Sequence, residues 1–230
     1  MVRAKKSLGQ NFLTDELILN RILETVNPKK QDQFFEIGSG RGALTKRLIP
    51  KIKRIDSVEI DKDLISSLRK LESSSTNLTI YQDSVLKINL DKLSRNKSKF
   101  RVIGNLPYNL SSKIMLWTFN NAEHIFDIHY MFQKEFGERL VSPPGNKTYG
   151  RLSVLTQYMF DSEDLFEILP ESFTPKPSVD SIFIKFQPKL QKDINSLEAI
   201  RLQELTRLMF SKRRKKISTS CKKILQPNEF

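Results

Sequence analysis

The feature that most constrains the fold of this 230-residue chain is a glycine-rich bend, FFEIGSGRG, at the end of a short apolar run. Gly38, Gly40 and Gly42 lie where the chain passes from that run into a segment with helical spacing. Glycine at such a bend permits a positive φ and lets a ligand approach the backbone, because no β-carbon stands in the way. The pattern indicates a strand, a turn and a helix, with a nucleotide-like ligand at the turn.

Short apolar runs alternate with helical segments on both sides of this bend. Strands are predicted at residues 33–37, 54–59, 78–81, 100–103, 128–133 and 181–186. Helices are predicted at residues 15–26, 44–49, 64–71 and 152–160, the first with Thr14 or Asp15 as its N-cap. Alternation of this kind predicts an α/β fold whose mostly parallel, doubly wound sheet is joined by right-handed crossovers.

The C-terminal part of the chain is predicted to form a second, smaller unit. The segment QPKLQKD at residues 187–193 interrupts the apolar pattern and separates a main domain, residues 1–188, from a helical appendage, residues 189–230, with a helix at 196–210. The formal net charge of +13 favours a polyanionic partner, although a solvated helix end would also be basic. The candidate phosphate contacts are Arg207, Lys212, Arg213, Arg214, Lys215 and Lys216.

The composition argues against several kinds of site. Cys221 is the only cysteine, so no intramolecular disulfide can form. His124 and His129 have no cysteine cluster nearby, and we predict no metal site and no catalytic role for either histidine. No apolar run resembles a signal peptide or reaches the length of a membrane span, so a cytoplasmic protein without a membrane partner is expected. We also expect a monomer.

Two carboxylates follow neighbouring predicted strands. Glu59 ends the second strand, 21 residues after Gly38, where it can accept both hydroxyl hydrogens of a ribose. Asp83 follows the third strand, where it can accept from the amino group of a cofactor adenine; capping of a turn is the alternative. Gly38, Gly40 and Ala43 suit NAD as well as S-adenosylmethionine, so this part of the pattern leaves the cofactor open.

The tetrapeptide Asn105-Leu106-Pro107-Tyr108 directly follows the fourth strand motif. The exocyclic amine of adenine is a poor nucleophile, because its lone pair is delocalised into the ring. The Asn105 side-chain oxygen and the Leu106 carbonyl can each accept one N–H hydrogen and turn the lone pair toward a methyl donor. Pro107 stiffens the turn and Tyr108 can stack on the base. The segment favours methyl transfer by positioning and electrostatics over hydride transfer to NAD.

Phe173 is the remaining aromatic candidate, in the segment FTPKPSVDS. Pro175 and Pro177 are predicted to hold this loop extended just before a strand. We predict that Phe173 sandwiches the target base opposite Tyr108, since RNA-binding proteins stack splayed-out bases on aromatic rings. The alternative is a ring that anchors the loop to the core.

These residues belong to a series of motifs that resembles the KsgA/RsmA family of ribosomal RNA adenine dimethyltransferases, relatives of the erythromycin-resistance methyltransferases. The motifs run through nearly the whole chain. They are LGQNFL at residues 8–13, EIGSGRGALT at 36–45, VEID at 58–61, GNLPYNLSS at 104–112, YGRLSVLTQ at 149–157, FTPKPSVDS at 173–181 and SKRRKK at 211–216.

The resemblance implies a class I methyltransferase domain, with a Rossmann-like, mostly parallel seven-stranded sheet, and a small C-terminal helical domain that is expected to be incomplete. It implies an S-adenosylmethionine site lined by Asn11, Leu13, Gly38, Glu59, Asp83 and Asn105, together with Gly40 of the bend. It also implies the substrate: two adjacent adenosines near the 3′ end of small-subunit ribosomal RNA, each dimethylated within an assembling subunit.

Three other functions remain open on the residues themselves. One is a methyltransferase that acts on an adenosine of large-subunit RNA, as resistance enzymes do. A second is an NAD-dependent oxidoreductase, which would share the glycine bend and Glu59 but would have no use for residues 105–108. The third is a non-catalytic RNA-binding assembly factor that keeps the fold and the basic tail.

Overall fold

The computed structural model describes residues 4–94, 98–189 and 196–211. Its strands are β1 (Phe12–Leu13), β2 (Gln33–Ile37), β3 (Arg54–Glu59), β4 (Leu78–Gln82), β5 (Phe100–Asn105), β6 (Ile125–Gln133), β7 (Phe160–Ile168), β8 (Phe173–Thr174) and β9 (Ser181–Pro188). Its helices are α1 (Glu16–Val26), α2 (Ala43–Leu48), α3 (Lys62–Ser73), α4 (Leu90–Leu93), α5 (Ser111–Asn120), α6 (Lys134–Val141), α7 (Arg151–Met159) and α8 (Ser196–Met209).

Seven of these strands form one sheet in the order β4-β3-β2-β5-β6-β9-β7. The first five strands in this order are parallel, and β9 is antiparallel to both β6 and β7. The predicted α/β fold with a mostly parallel sheet is therefore confirmed. Residues Phe34 and Phe35 of β2 are both buried, one in each of two apolar clusters on opposite faces of the sheet. A central parallel strand covered on both faces has this continuous apolar character.

All the strands and helices predicted from periodicity are present, with ends shifted by at most three residues. The edge strand β7 and the helices α5 and α6 were not predicted. Four consecutive residues of β7, Asp161–Asp164, are exposed, so the alternation that marks a half-buried strand is lost there. Charged residues on an edge strand also discourage pairing with another chain, which explains why this strand looks polar.

Arg101 connects neighbouring segments by hydrogen bonds at the edge of the sheet where the parallel strands begin. Its guanidinium donates to the carboxylates of Asp127, at 2.7 Å, and Asp32, at 2.8 Å. It also donates to the carbonyl of Val26, the last residue of α1, at 2.8 Å. Charge-assisted bonds of this kind fix geometry well, because the planar guanidinium presents several donors at once. The opposite edge of the sheet, where the strands end, is left for loops.

The segment around Phe173 pairs with the N-terminal part of the chain. Phe12 and Leu13 of β1 pair antiparallel with Thr174 and Phe173 of β8, which forms a small ribbon beside the main sheet. The Phe173 ring is only 3% exposed and packs in the same apolar cluster as the β1 side chains. The burial of this ring favours the alternative role, an anchor for the loop, and its stacking on a base stays a prediction.

Helix α8, the described part of the predicted appendage, packs against the main domain. Leu202 contacts the apolar cluster on that face of the sheet, and Thr206 is buried. The Gln203 side chain donates to Asn120 at the end of α5, at 2.7 Å. Arg207 is exposed, as its predicted contact with phosphates requires, whereas Lys212, Arg213, Arg214, Lys215 and Lys216 lie outside the described residues. None of the described helices is long and apolar enough to span a membrane.

Glu36 and His129 are two of the titratable groups that are buried in the main domain. Burial raises the pKa of Glu36 in β2 to about 7, although its carboxylate accepts hydrogen bonds from the hydroxyls of Thr45, at 2.6 Å, and Ser57, at 3.0 Å. Burial lowers the pKa of His129 in β6 to about 4, so this histidine is neutral at neutral pH and its ring packs near Phe183. His129 is thus placed in the core.

We predict that Phe173→Ala lowers the free energy of unfolding by about 3–5 kcal/mol, because it removes a buried ring and leaves a cavity. Chemical denaturation monitored by circular dichroism measures this. Phe126→Ala is the control, since that ring is 54% exposed and its loss changes stability by less than about 0.5 kcal/mol. A loss of RNA affinity in Phe173→Ala at unchanged stability would contradict the anchoring role.

Glu36 should make folding stability depend on pH. Its pKa is higher in the folded protein, about 7, than the ordinary value of 4.5, so the folded state holds the proton more tightly. The resulting stabilisation is complete below the ordinary value and is lost as pH rises to about 7. Between about pH 5 and pH 8 we expect wild type to lose roughly 2–3 kcal/mol more than Glu36→Gln in denaturation experiments. Equal losses in the two proteins would contradict the buried, protonated state.

Candidate active site

The carboxyl ends of β2, β3 and β5 meet at one edge of the sheet and position the candidate site. In the parallel register, Ile37 of β2 lies beside Val58 of β3 and Gly104 of β5. A β-carbon at Gly104 would be only 2.8 Å from the Ile37 carbonyl oxygen, so β2 and β5 approach each other as closely as glycine allows. The residues that follow, Gly38 and Asn105, are therefore held side by side.

The glycine bend adopts the backbone that its composition predicts. Gly38, Gly40 and Gly42 have φ values of 74°, 57° and 76°, a left-handed region that L side chains rarely adopt. A β-carbon at Gly40 would lie 3.1 Å from the ring of Phe12, so glycine is also needed there for space. The bend leads directly into α2. Gly38, the first glycine of the bend, donates its N–H to the Val58 carbonyl at 2.9 Å.

Glu59 lies at the end of β3 with its carboxylate against the bend. One carboxylate oxygen accepts the N–H of Gly40 and the other accepts the N–H of Asp61, each at 2.9 Å. The residue is buried, and this burial raises the pKa of its carboxyl despite the two backbone donors. A carboxylate oxygen has more than one acceptor lone pair, so Glu59 retains capacity for the hydroxyls of a ribose.

Asn105, the last residue of β5, is held by the N-terminal part of the chain. Its amide nitrogen donates to the backbone carbonyl of Asn11 at 2.8 Å. With that nitrogen engaged, the side-chain oxygen remains as an acceptor for an incoming N–H group. The next residue, Leu106, is buried and donates its N–H to Met131 of β6 at 3.2 Å. The turn after β5 is thus fixed by contacts on both sides.

Tyr108 follows in the same turn, which is closed by the N–H of Leu110 donating to the Pro107 carbonyl at 2.9 Å. The Tyr108 hydroxyl is hydrogen-bonded to the Ser181 hydroxyl at 2.7 Å, which fixes the outer end of the ring. Burial raises the pKa of this phenol, so it stays protonated at neutral pH. The ring is an apolar surface beside Asn105.

Two adjoining cavities collect most of the predicted site residues. The first, of about 70 Å³, is lined by Leu8, Gly9, Gln10, Asn11, Phe12, Gly38, Gly40, Glu59, Ile60 and residues 105–108. The second, of about 40 Å³, is lined by Phe12, Leu13, Glu36, Gly38, Ser39, Gly40, Arg41, Ala43, Leu44 and Asn105. The structure therefore brings together the predicted cofactor residues and the turn at residues 105–108, called the acceptor turn below, which were predicted separately.

Asp83 lines neither cavity. Its carboxylate accepts the N–H of Ser84 at 2.7 Å and pairs with Lys87 at 3.2 Å, and both contacts lower the pKa of the carboxyl. This geometry matches the turn-capping alternative. Asp83 nevertheless follows β4 at the same edge of the sheet as Glu59, so its contact with a cofactor adenine stays a prediction.

Sequence patterns missed several residues that line the cavities, above all Gln10, Phe12 and Ile60. Gln10 and Phe12 lie before the first helix, in a segment without periodicity, and contacts with distant residues, among them the pairing of β1 with β8, hold this segment at the site. The signal that could have indicated Ile60 is its position directly after Glu59, since strand ends at this edge point their next residues at the ligand.

The residues fit a nucleoside cofactor. The bend exposes backbone where a β-carbon would intrude, and Glu59 supplies a carboxylate of the kind that binds ribose hydroxyls. Asn105 and the turn after it supply neutral oxygen acceptors at the other side of the same cavity. Among the residues that the structure describes, no three His, Cys, Asp or Glu side chains are grouped as ligands for a metal.

Comparison with known proteins agrees with this geometry. Ribosomal RNA small subunit methyltransferase A of Saccharophagus degradans is 39% identical over 222 residues, which cover 96% of this chain and 83% of that protein. A dimethyladenosine transferase from Plasmodium falciparum superposes with a TM-score of 0.77 at 29% identity, covering 92% of this chain and 74% of its own. The 23S rRNA methyltransferase ErmE superposes with a TM-score of 0.72 at 25% identity, covering 95% of this chain and 86% of its own.

The fold of the main domain is that of class I methyltransferases that use S-adenosylmethionine, as the structures similar to it are. The NAD-dependent alternative is therefore not supported. A family model described as ribosomal RNA adenine dimethylase matches residues 1–230, the full length of the chain. The chain belongs to the ribosomal RNA adenine dimethylase family.

Proposed function

We propose that this protein transfers methyl groups from S-adenosylmethionine to the N6 amines of two adjacent adenosines near the 3′ end of small-subunit ribosomal RNA. The observation that carries the proposal is the fixed amide of Asn105 at the wall of the cavity formed by the glycine bend and Glu59. Its nitrogen is engaged by the Asn11 carbonyl, and its oxygen is left to accept from an adenine amine.

The proposed chemistry depends on positioning. Bound S-adenosylmethionine supplies a methyl group that is already activated by the positive charge on its sulfur. The Asn105 side-chain oxygen and the Leu106 carbonyl accept the two N–H hydrogens of the adenine amine, so that its lone pair turns out of the ring plane. Tyr108 holds the base by stacking, with its hydroxyl fixed on Ser181. Oxygen acceptors fixed in advance act without reorganisation during the reaction.

The nearest alternative is methylation of one adenosine in large-subunit RNA. The fold is similar to that of the 23S rRNA methyltransferase ErmE, with a TM-score of 0.72, so this alternative has to be compared with our proposal. The 39% identical relative named for the small subunit favours our proposal, because the 25% identity to ErmE is much lower. The NLPY form of the acceptor turn and the LGQNFL segment favour it as well.

The proposed partner is an assembling small ribosomal subunit, and the proposed enzyme works as a monomer in the cytoplasm. The exposed Arg207 on α8 and the basic residues 212–216 would contact phosphates, which agrees with the net charge of +13. A non-catalytic assembly factor would use the same basic surface. Substitution of Asn105 distinguishes the methyltransferase from the assembly factor, because only a methyltransferase needs this side chain.

The direct test incubates the protein with labelled S-adenosylmethionine and small subunits that lack these methyl groups, followed by nuclease digestion and mass spectrometry. We expect dimethyladenosine at two adjacent positions near the 3′ end. Large subunits are assayed in parallel, and methylation of a single adenosine there would favour the resistance-type activity. Absence of label in both subunits, with cofactor binding intact, would overturn the proposal.

Asn105→Ala should reduce kcat by about 100-fold to 1,000-fold, the usual cost of losing one fixed hydrogen-bonding group in a transition state. Steady-state methylation of the small subunit measures this. Ser112→Ala is the control: its side chain is exposed in α5, just after the same turn, and a rate near that of wild type is expected. Retention of the full rate in Asn105→Ala would favour a different catalytic group.

Glu59→Gln should weaken binding of S-adenosylhomocysteine by about 10-fold to 100-fold, because hydrogen bonds to a charged group are worth roughly 1.5–3 kcal/mol. Isothermal titration calorimetry measures the affinity in the absence of RNA. Glu24→Gln removes an exposed carboxylate on α1 and serves as the control. If both variants bind as wild type does, Glu59 does not hold the ribose.

A further inference from the structure

The N-terminal strap, defined as residues 4–13, lies along the wall of the candidate site. Its residues 8–12 line the first cavity, and its end is fixed where Phe12 and Leu13 pair with β8. The Phe12 ring lies against Gly40 on one side, and the Arg41 guanidinium is 4.4 Å from the ring centroid. The strap is thus attached to the core at its C-terminal end, while its other end needs a separate attachment.

Asp61 provides that attachment. Its side chain is completely buried just after β3, and it accepts the side-chain amide of Gln10 at 2.8 Å. It also forms an ion pair with Lys5, which is shared with the exposed Asp63 at 2.7 Å. The Lys5 backbone N–H in turn donates to the Gln10 side-chain oxygen at 2.8 Å. Burial favours the protonated carboxyl, but the contacts with Lys5 and Gln10 hold the pKa of Asp61 below its usual value.

The strap connects Asp61 to the acceptor turn. Asn11 follows Gln10 directly, and its carbonyl is the group that accepts the Asn105 amide nitrogen at 2.8 Å. On the cofactor side, the Asp61 N–H donates to Glu59 at 2.9 Å. One buried carboxylate therefore lies between the proposed ribose ligand and the segment that orients the proposed catalytic amide.

We propose that Asp61 is a positioning residue, which fastens the strap so that the Asn11 carbonyl holds the Asn105 amide with its oxygen toward the adenine amine. This inference rests on the proposed role of Asn105.

The test compares Asp61→Asn and Gln10→Ala, which remove the contact from either side, by steady-state methylation kinetics. We expect kcat to fall roughly tenfold to hundredfold in Asp61→Asn, and less in Gln10→Ala, because a misplaced reacting group costs about that much. The KM for ribosomal subunits should stay within about twofold. Asp63→Asn is the control, since its exposed pair with Lys5 is worth little, and its rate should match wild type.

Two further measurements separate positioning from general destabilisation. In an Asn105→Ala background, Gln10→Ala should cause no further loss, because the amide that the strap orients is absent. Tryptic cleavage after Lys5 should be faster in Asp61→Asn than in wild type at equal melting temperature. If Asp61→Asn does not fold, the kcat of Gln10→Ala alone tests the proposal. Wild-type kcat in Gln10→Ala, beside an inactive Asn105→Ala, overturns this inference only, whereas an active Asn105→Ala overturns the proposed function itself.

Discussion

The close approach of β2 and β5 at Gly104 is the constraint on which the rest of the site depends. Any larger residue there would place a β-carbon 2.8 Å from the Ile37 carbonyl and force the strands apart. Because the approach is tight, the bend that follows β2 and the turn that follows β5 share one cavity. The parallel register then adds Glu59 from β3 on the far side of the bend. Three loops with separate sequences become one site through backbone packing alone.

The parts of this site that could be predicted from the sequence are those whose geometry is local. A strand, a glycine bend and a helix specify the conformation of Gly38 and Gly40 within a few residues. Glu59 and Asn105 each end a strand, and parallel strands bring their carboxyl ends to one edge. The location of these residues therefore follows from element order without knowledge of any distant contact, and the register confirms it.

The parts that could not be predicted depend on contacts between distant segments. Phe173 has the composition of a base-stacking residue, but its pairing partner is Leu13, far away in sequence, and that pairing turns the ring into the core. Gln10 reaches Asp61 across a separation of 51 residues. No periodicity records such a contact. The edge strand β7 was not predicted for another reason: its acidic residues are exposed to solvent, so the strand lacks the alternation of apolar and polar residues.

The distribution of charge within the site follows the chemistry proposed for it. Glu36 and Glu59 lie on the side formed by β2 and β3, where burial raises the pKa of both carboxyls. The side formed by β5 presents neutral groups, the Asn105 amide and the protonated Tyr108. A sulfonium cofactor is cationic, whereas an adenine amine is neutral and donates two hydrogen bonds. A carboxylate on the β5 side would have to be desolvated against the base, whereas the neutral oxygen acceptors take the N–H hydrogens without burying a charge.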